Sequence, residues 1–168
     1  MEIRSARLLI RPIRFEDWKS LQKIWIDLSK SEYAQYDTPH PLEDGEVKAR
    51  IQKIISQENR FAVCLPDEDA MIGYVVFHED PGALDIGYCF DADYQGKGYA
   101  KESIETLLEH LRKQGVRRFT AGTGLKNTPS LRLLHALGFR QIATEKVSFY
   151  KDANGDPIYF DGGIFERN

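Results

Sequence analysis

Gln95-Gly96-Lys97-Gly98-Tyr99-Ala100 is the stretch on which the reading of this chain turns. It stands where an alternating apolar segment, Ala83 to Phe90, gives way to a helical one from about Tyr99 to Gln114. Glycine lets a backbone turn tightly and approach a ligand with no Cβ in the way. The helix start behind it exposes unpartnered N–H groups and the positive end of the dipole. Together these suit a pyrophosphate, with Lys97 adding charge at the edge. Taken alone, two glycines are also what an ordinary strand-to-helix turn uses. Two other phosphate motifs are excluded. There is no G-x-x-x-x-G-K-[ST], and neither a third glycine at dinucleotide spacing nor an early βαβ unit is present.

Working outward, Leu84, Ile86, Tyr88 and Phe90 alternate with Asp85, Gly87 and Cys89, which marks a strand. Before it, Met71 to Phe77 is almost wholly apolar and reads as a central strand covered on both faces. Phe61 to Leu65 is a short strand ended by the Pro66–Asp69 turn. Leu8 to Ile13 is the first strand. Between these two strands lie two amphipathic helices, one carrying Leu21, Ile24, Trp25 and Leu28, the other Val47, Ile51, Ile54 and Ile55. They are joined by a polar and aromatic loop over residues 29–41. After the glycine-rich turn, Ile104, Leu107, Leu108 and Leu111 form a helix stripe, and Gly115 fits its C-terminal cap. Val116 to Ala121 is a strand. Thr128 and Pro129 open a last helix as N-cap and first helical residue. Phe139 to Tyr150 and Pro157 to Arg167 form a hairpin around Asn154-Gly155. The Gly162-Gly163 pair signals a bulge or a close backbone approach. The order β-α-α-β-β-β-α-β-α-β-β predicts an α/β (α+β) fold: a mixed, mostly antiparallel sheet of about seven strands with helices on both faces.

The bulk properties bound the function. A chain of 168 residues with 42% hydrophobic content is one domain's worth, spanning 1–168. A net charge of −3 gives no general attraction to nucleic acid or to anionic lipid. No segment approaches 18 apolar residues, and no signal peptide opens the chain, so a cytoplasmic protein without a membrane partner is expected. Cys64 and Cys89 sit among apolar residues as buried free thiols, with no His or Cys at metal-ligand spacing. No metal is expected.

The joint pattern resembles the GNAT superfamily of acetyltransferases, and within it the ribosomal-protein N-terminal acetyltransferase branch. Gln95 to Ala100 matches every fixed position of the family's acetyl-CoA signature, Q/R-x-x-G-x-G/A. Asp85-Ile86-Gly87-Tyr88 is similar to that branch's strand before the loop, which usually begins with Glu. Arg7-Leu8-Leu9-Ile10-Arg11-Pro12 with Glu16-Asp17 looks like its first strand and helix. Asn127-Thr128-Pro129-Ser130 and Leu137-Gly138-Phe139 resemble its last helix and the strand after it.

The resemblance implies an acetyl-CoA-dependent N-acetyltransferase, with acetyl-CoA as co-substrate and a primary amine as acceptor. The acceptor is either a protein or peptide N-terminus or a small-molecule amine. It implies that two strands, Ala83 to Phe90 and Val116 to Ala121, splay apart around the pantetheine arm. The backbones of Tyr88 and Phe90 would face the arm. Gln95, Gly96, Lys97, Gly98, Tyr99 and Ala100 would take the pyrophosphate, and Asn127 and Ser130 would lie near the cofactor. Transfer is direct in a ternary complex, so Cys89 is core filler rather than nucleophile. Asp85 stands at the place of a family Glu proposed as base, one methylene shorter. The family's tyrosine acid falls on Leu134 here, which leaves Ser130 as the alternative acid. Tyr33, Tyr36 and His40 stand on the acceptor-facing wall. The chain would act as a monomer or homodimer. The missing tyrosine keeps a second reading open, a catalytically poor domain that binds or senses acyl-CoA.

Overall fold

A computed structural model describes residues 1–168. Its strands are β1 (Ile3–Arg4), β2 (Leu9–Pro12), β3 (Arg60–Leu65), β4 (Ala70–Asp80), β5 (Ala83–Phe90), β6 (Phe119–Gly124), β7 (Arg140–Lys151) and β8 (Pro157–Arg167). Its helices are α1 (Trp18–Lys30), α2 (Asp44–Gln57), α3 (Tyr99–Lys113) and α4 (Thr128–Ala136). All strands join one eight-stranded sheet in the order β1-β2-β3-β4-β5-β6-β8-β7. Every neighbouring pair is antiparallel except β5 and β6. The expected architecture holds, with one strand more than predicted. The extra strand is β1, which pairs only Ile3 with Ile10 and Arg4 with Leu9 and is too short to show a period.

Each face of the sheet has its own core. On one side α3 and α4 cover it, with Ile104, Leu107, Leu108, Leu134 and Leu137 packed on Ile10, Val63, Val75, Phe77, Ile86 and Phe119. On the other side Leu21, Ile24 and Trp25 of α1 and Val47, Ile51 and Ile54 of α2 meet Leu9, Ala62, Cys64, Met71 and Tyr74. Ile55, expected in the α2 stripe, is instead exposed, one position past the buried face. β4 contributes to both cores, as its unbroken apolar run requires. Trp25 donates its Nε1 hydrogen to the Tyr74 hydroxyl at 3.1 Å, which satisfies a buried indole.

The buried Arg11 guanidinium is held by both carboxylate oxygens of Asp17, at 2.8 and 2.9 Å, and by Asp69 at 2.9 Å. Arg11 is 2% and Asp17 6% exposed, so either partner left alone would be an uncompensated charge in the interior. This fork fixes the entry of α1 against the end of β2.

Two local expectations are corrected and a third, left between two alternatives, is resolved. The strand predicted at Val116–Ala121 is Phe119–Gly124, because Gly122 and Gly124 continue it without side chains to mark its period. The cap of α4 is Asn127 rather than Thr128: the Asn127 side chain accepts from the Ser130 N–H at 3.4 Å, and Thr128 is already helical. Gly162 and Gly163 pair in regular register with Gly124 and Thr123, so the pair marks a close approach and not a bulge. A Cβ on Gly163 would stand 2.7 Å from the Leu125 side chain.

Candidate active site

β5 and β6 are joined only at their starts. Leu84 pairs with Phe119 and Asp85 with Thr120, and the ladder stops there. From Ile86 to Phe90 and from Ala121 to Gly124 the two strands diverge. The Asp91 N–H donates to the Ile72 carbonyl at 2.8 Å, which makes Gly73 and Phe90 a non-hydrogen-bonded pair. The main-chain groups of Phe90, and of Tyr88 two residues earlier, therefore point away from β4 into the opening. Such groups need a partner when water is displaced. The Phe90 carbonyl has one already, since the Gln95 side-chain amide donates to it at 2.9 Å. That bond pins the start of the glycine-rich loop to the end of β5.

The loop delivers the chain to α3. Gly96 and Gly98 have φ of 75° and 81°, in the left-handed region that a side chain disfavours. Gly98 is the residue before the helix, and no side chain caps it. The first intrahelical bond is from the Glu102 N–H to the Gly98 carbonyl, so the N–H groups of Tyr99, Ala100 and Lys101 have no helical acceptor. A helix of 15 residues behind them adds the positive end of its dipole. The arrangement suits an anion with several oxygens.

A cavity of about 500 Å³ runs from this helix start along the opening. Tyr88, Cys89, Phe90, Gln95, Gly96, Gly98, Tyr99, Ala100, Asn127 and Ser130 line it, together with Asp27, Ser31 and Tyr33 at the end of α1. Lys97 is not on this wall, and its ammonium lies 5.6 Å from the centre of the Tyr94 ring. The cations that do line the cavity are Lys101 and Arg132, which sequence reasoning missed. It also missed Arg7. That side chain donates to the Lys97 carbonyl at 3.0 Å, pairs with Glu102 at 2.6 Å and lies over the Tyr99 ring at 4.6 Å. Ser5 and the Arg7 N–H also bond Glu102, so the N-terminal segment clamps the start of α3.

On the α4 side, the Tyr88 and Ser130 hydroxyls share a hydrogen bond of 2.7 Å. Burial pushes the Tyr88 phenol up to about 12, against a smaller opposing effect of Ser130. It stays neutral at physiological pH. Leu134 is fully buried in the core beneath, and His135 is exposed with its ring edge-on to Phe165. The side chain of Tyr88, as distinct from its backbone, was not singled out from the sequence. The contact joins residues 42 apart.

On the opposite face of the sheet, Asp85 accepts from the Thr120 hydroxyl at 3.1 Å, at the closed end of the opening. Burial raises its pKa above the usual carboxylate value, and the Thr120 bond only partly offsets this. Asp85 is not on the wall of the large cavity. Glu79 and Asp80 are exposed at the end of β4. Cys89 lies on the cavity wall, and burial pushes its thiol up to about 12.

The residues read as the acceptor wall divide. Tyr33 lines the large cavity. Tyr36 lines a second, smaller slot, and the two rings lie 6.5 Å apart. His40 lines neither. Its ring stacks on Trp25 at 4.7 Å and its Nε2 is 3.0 Å from Asp37, so it packs the loop onto α1.

Residues 7–140 match the acetyltransferase (GNAT) domain family. The chain is a GNAT acetyltransferase. It is 33% identical over 145 residues to the uncharacterized N-acetyltransferase YnaD of Bacillus subtilis (strain 168), covering 84% of each chain. The uncharacterized N-acetyltransferase p20 of Bacillus licheniformis is 30% identical over 147 residues, covering 82% of this chain and 81% of that one. Among solved structures, a GNAT-family acetyltransferase from Bacillus anthracis superposes with a TM-score of 0.82 at 26% identity, over 99% of this chain and 98% of the other. The fold is also that of the ribosomal L7/L12 α-N-protein acetyltransferase RimL solved with coenzyme A, with a TM-score of 0.79 at 21% identity, over 99% and 97% of the two chains.

Proposed function

We propose that residues 1–168 act as one acetyltransferase unit that moves acetyl directly to a primary amine while both substrates are bound. The observation that carries this reading is the opening between β5 and β6, which ends on the uncapped start of α3. Acetyl-CoA supplies a thioester whose acyl group an amine can attack. The free main-chain groups of β5 would hold the pantetheine arm, and the N–H groups of Tyr99 to Lys101 the pyrophosphate. Lys101 and Arg132 stand by for the remaining phosphate charge. Asn127 orders the turn into α4 and so places Ser130.

The attacking amine must lose a proton and the leaving sulfur must gain one. Asp85, made more basic by its burial, is the proton acceptor in this reading, directly or through one water. Ser130, backed by the Tyr88 phenol, is the proton donor. Tyr88 takes over part of what a tyrosine on α4 would do from the opposite wall. Cys89 stays a protonated thiol, so it is a poor nucleophile and direct transfer needs none. Both cysteines are free, which suits the reducing cytoplasm.

The acceptor is a small-molecule amine or a peptide N-terminus. Proteins of this fold are named in different contexts, RimL for the ribosomal protein L7/L12 and MccE for self immunity to microcin C7, the latter solved with acetyl-CoA and AMP. Thiol release from acetyl-CoA should depend on added amine in a panel of alkylamines and peptides with free N-termini. Intact-mass analysis should find no acetylated enzyme on the same timescale. A stoichiometric adduct on Cys89 that the amine discharges would replace direct transfer with a two-step route. Amine-independent binding of acetyl-CoA without any transfer would favour a sensing domain.

The proton-donor assignment has its own check. Tyr88→Phe keeps the ring and removes the hydroxyl, and turnover should fall by about 10-fold. Ser130→Ala should cost more, on the order of 100-fold, and the double variant little beyond Ser130→Ala because the two act as one chain. Fully additive losses in steady-state kinetics would separate the two hydroxyls.

A further inference from the structure

The direction of the Lys97–Gly98 peptide is set from outside the glycine-rich loop. Its carbonyl accepts from the Arg7 Nη1 at 3.0 Å. The peptide is trans, so the Gly98 N–H points to the side away from Arg7. That N–H has no acceptor within the chain. Gly98 lines the large cavity, whereas Arg7 and Lys97 do not. The N–H is therefore a free donor beside those of Tyr99 to Lys101, on the side of the loop away from Arg7. No hydrogen bond within the loop holds it there. Glycine takes φ of either sign about equally well, so the peptide before Gly98 can turn over with no Cβ to resist. Turned over, it would present the Lys97 carbonyl oxygen where the N–H stood, and that oxygen repels a pyrophosphate.

Arg7 is itself held still. Its Nε donates to the Glu102 carboxylate at 2.6 Å and its main-chain N–H donates to the same group at 2.9 Å. The Ser5 hydroxyl completes that carboxylate at 2.6 Å. The guanidinium lies over the Tyr99 ring, 4.6 Å from its centre. An ion pair whose arginine is 47% exposed adds little to stability, and ordering a long side chain has an entropic cost. So much ordering of one surface side chain, ending on a carbonyl of the phosphate loop, points to the loop as its purpose. Glu102 already balances the Arg7 charge, so what Arg7 brings to the loop is direction. One nitrogen of its planar fork takes the carboxylate and another the carbonyl, which a lysine ammonium cannot do with the same geometry.

We infer that Arg7 is a positioning residue of the cofactor site: through the Lys97 carbonyl it locks the Gly98 N–H toward the pyrophosphate of acetyl-CoA. This rests on the acetyltransferase reading above, and adds to it one donor and the residue that aims it. Arg7 touches no phosphate in this role.

Arg7→Lys keeps the charge and removes the fork. In calorimetric titrations it should bind acetyl-CoA about 10-fold more weakly than the wild type, the loss of one hydrogen bond to a charged group. Its unfolding midpoint without ligand should stay close to the wild-type value. Nitrogen–proton correlation spectra supply the second readout, with the Gly98 amide assigned from its change in Gly98→Ala. In the wild type that amide should move as acetyl-CoA saturates the site, and in Arg7→Lys it should move much less at the same saturation. Equal affinity of the two proteins, or equal movement of the amide, would overturn the lock while leaving acetyl-CoA binding standing. Weaker binding with a lowered midpoint and an amide that responds as in the wild type would make Arg7 a structural clamp only. An amide that does not respond in the wild type overturns the lock even where the variant fails to fold. If the wild type binds no acetyl-CoA, the cofactor reading fails and the lock falls with it.

Discussion

Gly98→Asp is expected to weaken acetyl-CoA binding by roughly 100-fold or more while leaving the fold intact, because it sets a carboxylate on the anion-binding start of α3. Gly98 sits at φ 81°, and a Cβ there would first meet the Arg7 guanidinium at 3.3 Å. Aspartate tolerates the left-handed region better than most residues, so the backbone can keep its course. Its carboxylate would compete with phosphate oxygens for the N–H groups of Tyr99 to Lys101 and repel the phosphate charge. Gly98→Ala provides the control, with the same strain and no charge, and should lose much less. Calorimetry with acetyl-CoA reads both. Equal affinity of Gly98→Asp and wild type, in protein whose unfolding transition is unchanged, would remove the pyrophosphate from this loop.

The parts of this machine that are legible in the sequence are those with a local period or a local constraint. The α3 stripe, the α1 stripe and the alternation of β5 lie within windows of a few turns or pleats, and Gly96 and Gly98 announce a turn that side chains disfavour. The opening between β5 and β6 leaves no such trace. It is made of backbone groups that lack a partner, and the Gly122 and Gly124 positions that extend β6 look like loop residues when read in order. The Asn127 cap escapes a reading in sequence order for a different reason. Asn and Thr are both good caps, and only the path of the backbone chooses between them. Contacts between distant segments were beyond reach: Arg7 on the start of α3, Tyr88 on Ser130, and the slot assembled from three strands and the turn at Tyr36. His40 shows the converse error. A histidine in an aromatic loop suggests a substrate contact, yet here its ring completes the packing around Trp25.

Asp85→Asn is expected to lower turnover by about 100-fold or more, with little change in the Michaelis constant for acetyl-CoA. Asparagine keeps the volume and an oxygen to accept the Thr120 hydroxyl at its present 3.1 Å, so the closed end of the opening should hold its shape. What it loses is the capacity to take a proton. The pH behaviour separates this from a structural role. Burial raises the Asp85 pKa above its unfolded value, so at pH above the folded pKa the native state carries a buried charge at a cost. Removing that charge should leave stability at neutral pH equal or slightly higher, seen as an unchanged or raised denaturation midpoint. In the wild type, activity should climb as pH rises through the raised pKa of Asp85, and the variant should lack that acid limb while keeping the limb set by the amine. Falling turnover together with falling stability would make Asp85 a structural residue at the base of the splayed strands. Turnover near the wild-type value would pass the proton to water or to another group.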